Sequence, residues 1–228
     1  IYVSNMVNQN GQTFKVYRWN GVADTEPETI ISHTVGSPVP PAVAVRLGDA
    51  LSVIGNPAEN GYIIASNFPF ANPQNQLYIW EFQNGIASTE PVVINVNPVV
   101  GQRIGQYGRV TEVPGEPGHW LLTGAEMGIA VITPQGQLLH ESPDAVIQFR
   151  AHEPRVFTYN GKRYISYTVN REWDASGSFF QVVDISTGGS IVEALQALTP
   201  DNIESKRVYT RIFGNQADAW ISARHQMA

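Results

Sequence analysis

Along this chain, short runs rich in β-branched and aromatic residues are broken every few positions by glycine, proline and asparagine. Runs of that length with such punctuation argue for strands joined by tight turns rather than for helices. Leu77-Tyr78-Ile79-Trp80-Glu81-Phe82 is one such run, and Phe14-Lys15-Val16-Tyr17-Arg18-Trp19 is another. In the best-defined stretch the pattern predicts four strands, at about 43–54, 62–67, 76–83 and 91–96. The first two are joined by Gly55-Asn56-Pro57-Ala58-Glu59-Asn60-Gly61, a hairpin loop by composition. Pro114-Gly115-Glu116-Pro117-Gly118 and Tyr159-Asn160-Gly161-Lys162 take the same place further on. Asn-Gly supplies the positive φ that a tight hairpin turn requires. Ser190–Leu198 has a helix-like spacing, with Ile191, Leu195 and Leu198 on one face; a short helix and an irregular turn both stay open.

These strand patterns repeat. Asn20-Gly21-Val22-Ala23-Asp24-Thr25-Glu26-Pro27 returns as Asn84-Gly85-Ile86-Ala87-Ser88-Thr89-Glu90-Pro91, each copy preceded by its aromatic run. Further upstream, Tyr2-Val3-Ser4-Asn5-Met6 matches Ile64-Ala65-Ser66-Asn67-Phe68. Arg46-Leu47-Gly48-Asp49 and Arg103-Ile104-Gly105-Gln106 stand 57 positions apart, as do Gly61 and Gly118. Four antiparallel strands per unit at such a period predict an all-β fold, a β-propeller of four-stranded antiparallel blades. The expected blades are 1–42 completed by 205–228, 43–100, 101–150 and 151–204, in one domain. A ring of about four blades and a part of a larger ring are both compatible with this reading, and a β-sandwich is the rival fold.

Composition narrows the function classes. The net charge is −6 and no basic cluster occurs, so no nucleic-acid partner is expected. There is no cysteine, which removes disulfides, thiolate metal sites and cysteine nucleophiles. No apolar run approaches the length of a membrane span. The five histidines show no i, i+2 or i, i+4 pairing, and neither a metal site nor a cofactor is expected. The chain starts at Ile1 rather than at methionine, so an upstream leader or segment is expected to be missing from it. No nucleophile elbow is found, and the glycine-rich stretch Gly101–Gly108 has the wrong spacing for a dinucleotide fingerprint.

The candidate ligand-binding residues fall in expected loops. Arg171, Glu172, Trp173 and Asp174 gather a cation, two carboxylates and an indole outside any predicted strand. Such a set suits stacking on a sugar or another flat apolar ligand face, or else a Trp folded over its own blade. Asn5 and Asn67 hold equivalent positions at strand ends, with Glu126 near that position in the third unit. They could ring a pocket, or bond their own backbone as strand-end asparagines often do. Trp19, Trp80, Trp120 and Trp220 lie in predicted strands and are assigned to packing.

The Tyr2–Met6, Phe14–Trp19 and Asn20–Pro27 stretches, followed by Arg46-Leu47-Gly48-Asp49-Ala50-Leu51-Ser52-Val53, resemble a Bacteroidetes family of secreted or lipid-anchored propellers, a domain of unknown function. The match covers roughly residues 1–100 and becomes general propeller patterning beyond them. The third unit departs from it, with Pro134-Gln135-Gly136-Gln137 in place of the Asn-Gly…Glu-Pro segment. The resemblance implies a propeller at the cell surface, outside the cell or in the periplasm, and brings no catalytic residues. The leading functional expectation is a non-catalytic binding or scaffold protein for a glycan or protein ligand. A carbohydrate-active hydrolase or lyase using Glu126, Glu172 and Asp174 is the alternative, and a purely structural module the third reading.

Overall fold

A computed structural model describes residues 1–9, 11–21, 26–36, 46–67, 76–96, 108–124, 127–143, 145–147, 150–169 and 178–212. They form four antiparallel sheets in chain order. The first holds β1 (Tyr2–Ser4), β2 (Thr13–Arg18) and β3 (Glu28–Thr34), in that order. The second holds β4 (Leu47–Gly55), β5 (Gly61–Asn67) and β6 (Gln76–Gln83). Two short strands, β7 (Ile86–Ala87) and β8 (Val92–Asn95), then lie end to end along the same edge of β6. The third sheet is β9 (Arg109–Glu112), β10 (Trp120–Gly124), β11 (Met127–Ile132) and β12 (Leu138–Glu141). The fourth is β13 (Ala151–Tyr159), β14 (Lys162–Val169), β15 (Phe179–Asp184) and β16 (Arg207–Ile212). Helices α1 (Ile191–Gln196) and α2 (Ile203–Lys206) intervene before β16, and no helix among the described residues is long and apolar enough to cross a membrane.

Local chemistry explains the turns. Asn160 (φ 48°) and Gly161 (φ 73°) form the two-residue connection that closes the Tyr159–Lys162 pair. Asn84 and Gly85 adopt the same handedness, at φ 52° and 79°, between β6 and β7. A side chain at Gly48 (φ 92°) would put a Cβ 2.5 Å from the Asn5 carbonyl oxygen and 2.7 Å from Phe14 Cε2. That close approach gives the repeated Arg-x-Gly signal its physical reason at this copy. Ser190 caps α1 by accepting the Glu193 N–H, while Glu193 reaches back to the cap backbone. The helix-like spacing at 190–198 therefore marks a real helix.

The strands expected at 62–67, 76–83 and 91–96 correspond to β5, β6 and β8. That expected at 43–54 corresponds to β4, residues 43–45 lying outside the described residues. The fourth sheet runs past the expected boundary at residue 204, because Arg207–Ile212 pairs with β15 as its last strand. Residues 213–228, assigned from sequence to completing the first unit, lie outside the described residues.

The chain divides into two compact units, Ile1–Gln106 and Tyr107–Ala228. In the first, Phe14, Val16 and Ile31 pack against Ile63, Ala65, Trp80 and Phe82, so the core lies between the two sheets. Phe14 stacks on Trp80 at 5.4 Å between ring centroids. Burying aromatics of this size removes roughly 150–250 Å² of each from water. The second sheet is also buried on its other face, through Ile64, Leu77 and Ile79. In the second unit, Leu121, Ile129 and Val131 meet Val156, Ile165, Tyr167 and Val183, with Ile191, Ala194 and Leu195 of α1 in the same cluster. All of β10 and β11 is buried, so the third sheet too has both faces covered.

Candidate functional site

Two of the sequence candidates are described, and both join strand ends. The Asn5 Oδ1 accepts the Lys15 N–H at 2.6 Å and its Nδ2 donates to the Thr13 carbonyl at 2.9 Å. The Asn67 Oδ1 accepts the Arg46 N–H at 3.0 Å and its Nδ2 donates to Gln76 Oε1 at 3.3 Å. Equivalent positions thus do equivalent work, continuing the ladder where the strands part. Glu126, Arg171, Glu172, Trp173 and Asp174 lie outside the described residues.

A cleft of about 420 Å³ opens in the first unit between β3 and the end of β6–β7. Its origin is the break in the second sheet's last strand. After the Asn84-Gly85 turn the chain pairs with β6 through β7, and Ser88 still donates to the Glu81 carbonyl at 2.8 Å. It then leaves the ladder until β8 resumes it at Val92. One wall is Glu28–Ser32 of β3 and the other is Gly85–Thr89, with Trp80 also lining it. Thr29, Ser32, Ser88 and Thr89 are among the residues that line it. His33 Nδ1 lies 3.4 Å from Glu90 Oε2, linking β3 to the interrupted segment. Arg18 holds Glu28 at 2.7 Å.

Trp80 is fully buried, stacked on Phe14 and Tyr78 and met by the edge of His33 at 5.8 Å. Burial pushes the Tyr78 phenol above its ordinary pKa. The Trp80 indole Nε1–H is buried and finds no acceptor among the described residues. An orphaned buried donor costs about 1–3 kcal/mol and calls for a missing partner. Trp80 packs in the core, as its place in an aromatic strand predicts. Its place beside a cleft had no local signal, because β3 and β7 come from different repeat units.

In the second unit, the Glu116 carboxylate gathers three elements. It accepts from Arg163 at 2.5 Å, meets His119 Nδ1 at 2.6 Å, and accepts the Ile191 N–H at the start of α1 at 2.9 and 3.0 Å. Burial alone raises its pKa, but the Ile191 N–H, His119 and Arg163 outweigh it and hold the carboxyl below its ordinary value. Glu116 stood in the sequence only as part of a hairpin loop, since Arg163 and Ile191 lie 47 and 75 positions away. Its geometry serves the fold. No group of three or more His, Asp or Glu side chains among the described residues could hold a metal ion.

Residues 1–221 match the family model described as "Domain of unknown function (DUF4623)", and the chain belongs to that family. It is similar to the crystal structure of a DUF4623 family protein from Bacteroides eggerthii DSM 20697, at 20% identity and a TM-score of 0.74. That match covers 96% of this chain and 47% of the other, so the chain spans about half the length of its solved relative. At this identity the likeness speaks for the fold alone. No curated protein matches the chain. The expected kinship with a Bacteroidetes domain of unknown function thus holds at the level of the family, with a relative from Bacteroides.

Proposed function

We propose that this DUF4623 chain is a propeller-like binding or scaffold module, acting outside the cytoplasm, that takes a glycan or protein ligand without transforming it. Four successive antiparallel sheets support the propeller-like build, as does burial of the second and third sheets on both faces. Stacked blades require such two-sided burial, and a single half-solvated sheet does not. The observation that carries the binding reading is the β3/β7 cleft, which Trp80 helps to line and where its buried Nε1–H has no acceptor among the described residues. Within the same reading, Arg171–Asp174 remains a second candidate surface, and a glycan array comparing the native chain with W173A tests it.

The cleft is tested through the ¹⁵N–¹H resonance of the Trp80 indole, assigned by its loss in W80F. Titration with neutral oligosaccharides and with short extended peptides is expected to move that resonance and the Thr29 and Ser88 amides together for at least one class. Silence of all three signals at millimolar ligand, with the spectrum otherwise that of a folded protein, removes the cleft as a binding site.

A further inference from the structure

The second sheet breaks beside Trp80. Ala87 of β7 pairs with Phe82 and Val92 of β8 with Ile79, so residues 88–91 span what only Trp80 and Glu81 cover on β6. The surplus bows out of the ladder as an arch, and Ser88 and Thr89 of the arch line the cleft. Its start is anchored by the Ser88 N–H on the Glu81 carbonyl and by Ala87 in the core. Pro91 at its end has no N–H to donate. Between these anchors Glu90 touches His33 of β3, and no other hydrogen bond or ion pair holds Thr89 or Glu90 among the described residues.

His33 follows Ser32 at the end of one wall and Glu90 follows Thr89 at the end of the other, so their contact stands where the two walls stop. Its halves differ. The His33 side chain is 16% exposed and seated against the Tyr78 and Trp80 rings, whereas Glu90 is 79% exposed and free to leave. At 3.4 Å the contact is long for a neutral hydrogen bond, which prefers about 2.7–3.2 Å, so it depends on charge. Imidazole is the side chain that gains or loses charge between about pH 5 and 8. The other ionisable groups on β2, β3, β6 and β7 leave Glu90 as its partner. Burial keeps the Tyr78 phenol protonated, and the registers put Lys15, Tyr17 and Glu81 on the other faces of their strands. Arg18 and Glu28 pair with each other.

We propose that residues 88–91 are a pH-sensitive strap on the cleft, latched by His33 and Glu90. In mildly acidic solution His33 carries a proton, draws Glu90 in and holds the arch against β3. At higher pH the imidazole is neutral, Glu90 turns to water, and the arch moves away from Trp80 and widens the cleft. The latch operates without a ligand. Its meaning as a gate rests on the cleft being a binding site, with ligand exchange faster as pH rises.

The test uses the ¹⁵N-labelled chain without ligand, at about pH 5.5 and about pH 7.5, on either side of the usual histidine range. Order parameters of the Thr89 and Glu90 amides report the arch. Water exchange of the Trp80 indole N–H, divided by its intrinsic rate, reports access to the cleft. At the higher pH the native chain is expected to lose order in the arch and to exchange the indole proton about two- to fivefold faster, the size an ion pair with one exposed partner supplies. E90Q is expected to keep the arch loose and the indole accessible at both pH values. E81Q removes an exposed carboxylate from the opposite face of β6 and is expected to respond as the native chain does. A native chain indifferent to pH overturns the strap, as does an E90Q chain that keeps the full response or an E81Q chain that loses it. With no ligand present, such a failure leaves the binding reading to the cleft titration, and silence in that titration leaves the latch standing.

Discussion

Replacing Glu116 by Gln keeps the size of the side chain at the junction of the β9–β10 turn, β14 and α1 while removing its charge. The Glu116 and Arg163 side chains are 17% and 20% exposed, so the pair is neither a surface ion pair nor a fully buried one. Exposed pairs contribute about 0–1 kcal/mol, and breaking buried ones costs about 3–5 kcal/mol. A glutamine still accepts one or two of the three hydrogen bonds, so the loss should fall near 2 kcal/mol for E116Q and nearer 3 for E116A. The pH dependence has a definite sign. Because the folded carboxyl is held below its ordinary value, its stabilisation is complete above the unfolded pKa of about 4.3 and disappears as pH falls through the folded value. The gap between native chain and E116Q should stay level from about pH 8 to 5 and close below about pH 4. Urea unfolding at a series of pH values, with amide exchange of Ile191–Leu195 as a local reporter of the second unit, measures it. A gap under about 0.5 kcal/mol at pH 7, or one that survives undiminished at about pH 3, would refute the reasoning.

Other substitutions probe other links. A Cβ at Gly128 would sit 2.5 Å from the Ile147 carbonyl oxygen, so G128A should cost at least about 2 kcal/mol in urea unfolding. S190A removes the side-chain half of the capping box, leaving the residue 190 N–H bonded to Glu193, and should lower the protection of the α1 amides by about 1 kcal/mol, with the first unit unchanged. N67A should cost about 1–2 kcal/mol, because the Arg46 N–H loses its acceptor. If Asn67 were free for a ligand instead, stability would not change. In the buried Tyr167–Gln181 pair, at 2.6 Å, Y167F leaves Gln181 Oε1 without its donor. About 1–2 kcal/mol should be lost, read again by denaturation.

Much of the strand map was legible along the chain. The aromatic run at 76–83 coincides with β6, and Asn160-Gly161 forms the tight turn that its two residue types favour. Such features depend on neighbours in sequence, where side-chain alternation and φ preferences act directly. The capping box at Ser190 and Glu193 is equally local. The cleft was not legible, because its walls are Glu28–Ser32 and Gly85–Thr89, more than fifty positions apart. Asn5 and Asn67 stand at equivalent places in the repeat, yet their bonds to Lys15 and Arg46 are a matter of where the adjoining strands run.

From the order of residues alone followed the all-β class, the repetition of the strand unit and the positions of its hairpins, since each rests on periodicity and turn chemistry within a few residues. The folded chain alone determined which edges meet and which donors are left over. Trp80 reads as one more strand aromatic until Phe14, Tyr78 and His33 close around it and its N–H is left without an acceptor among the described residues. Glu116 reads as a loop residue until Arg163 and Ile191 arrive beside it. Hydrogen-bond satisfaction and pair electrostatics act over a few ångströms of space, and separation along the chain does not encode that distance.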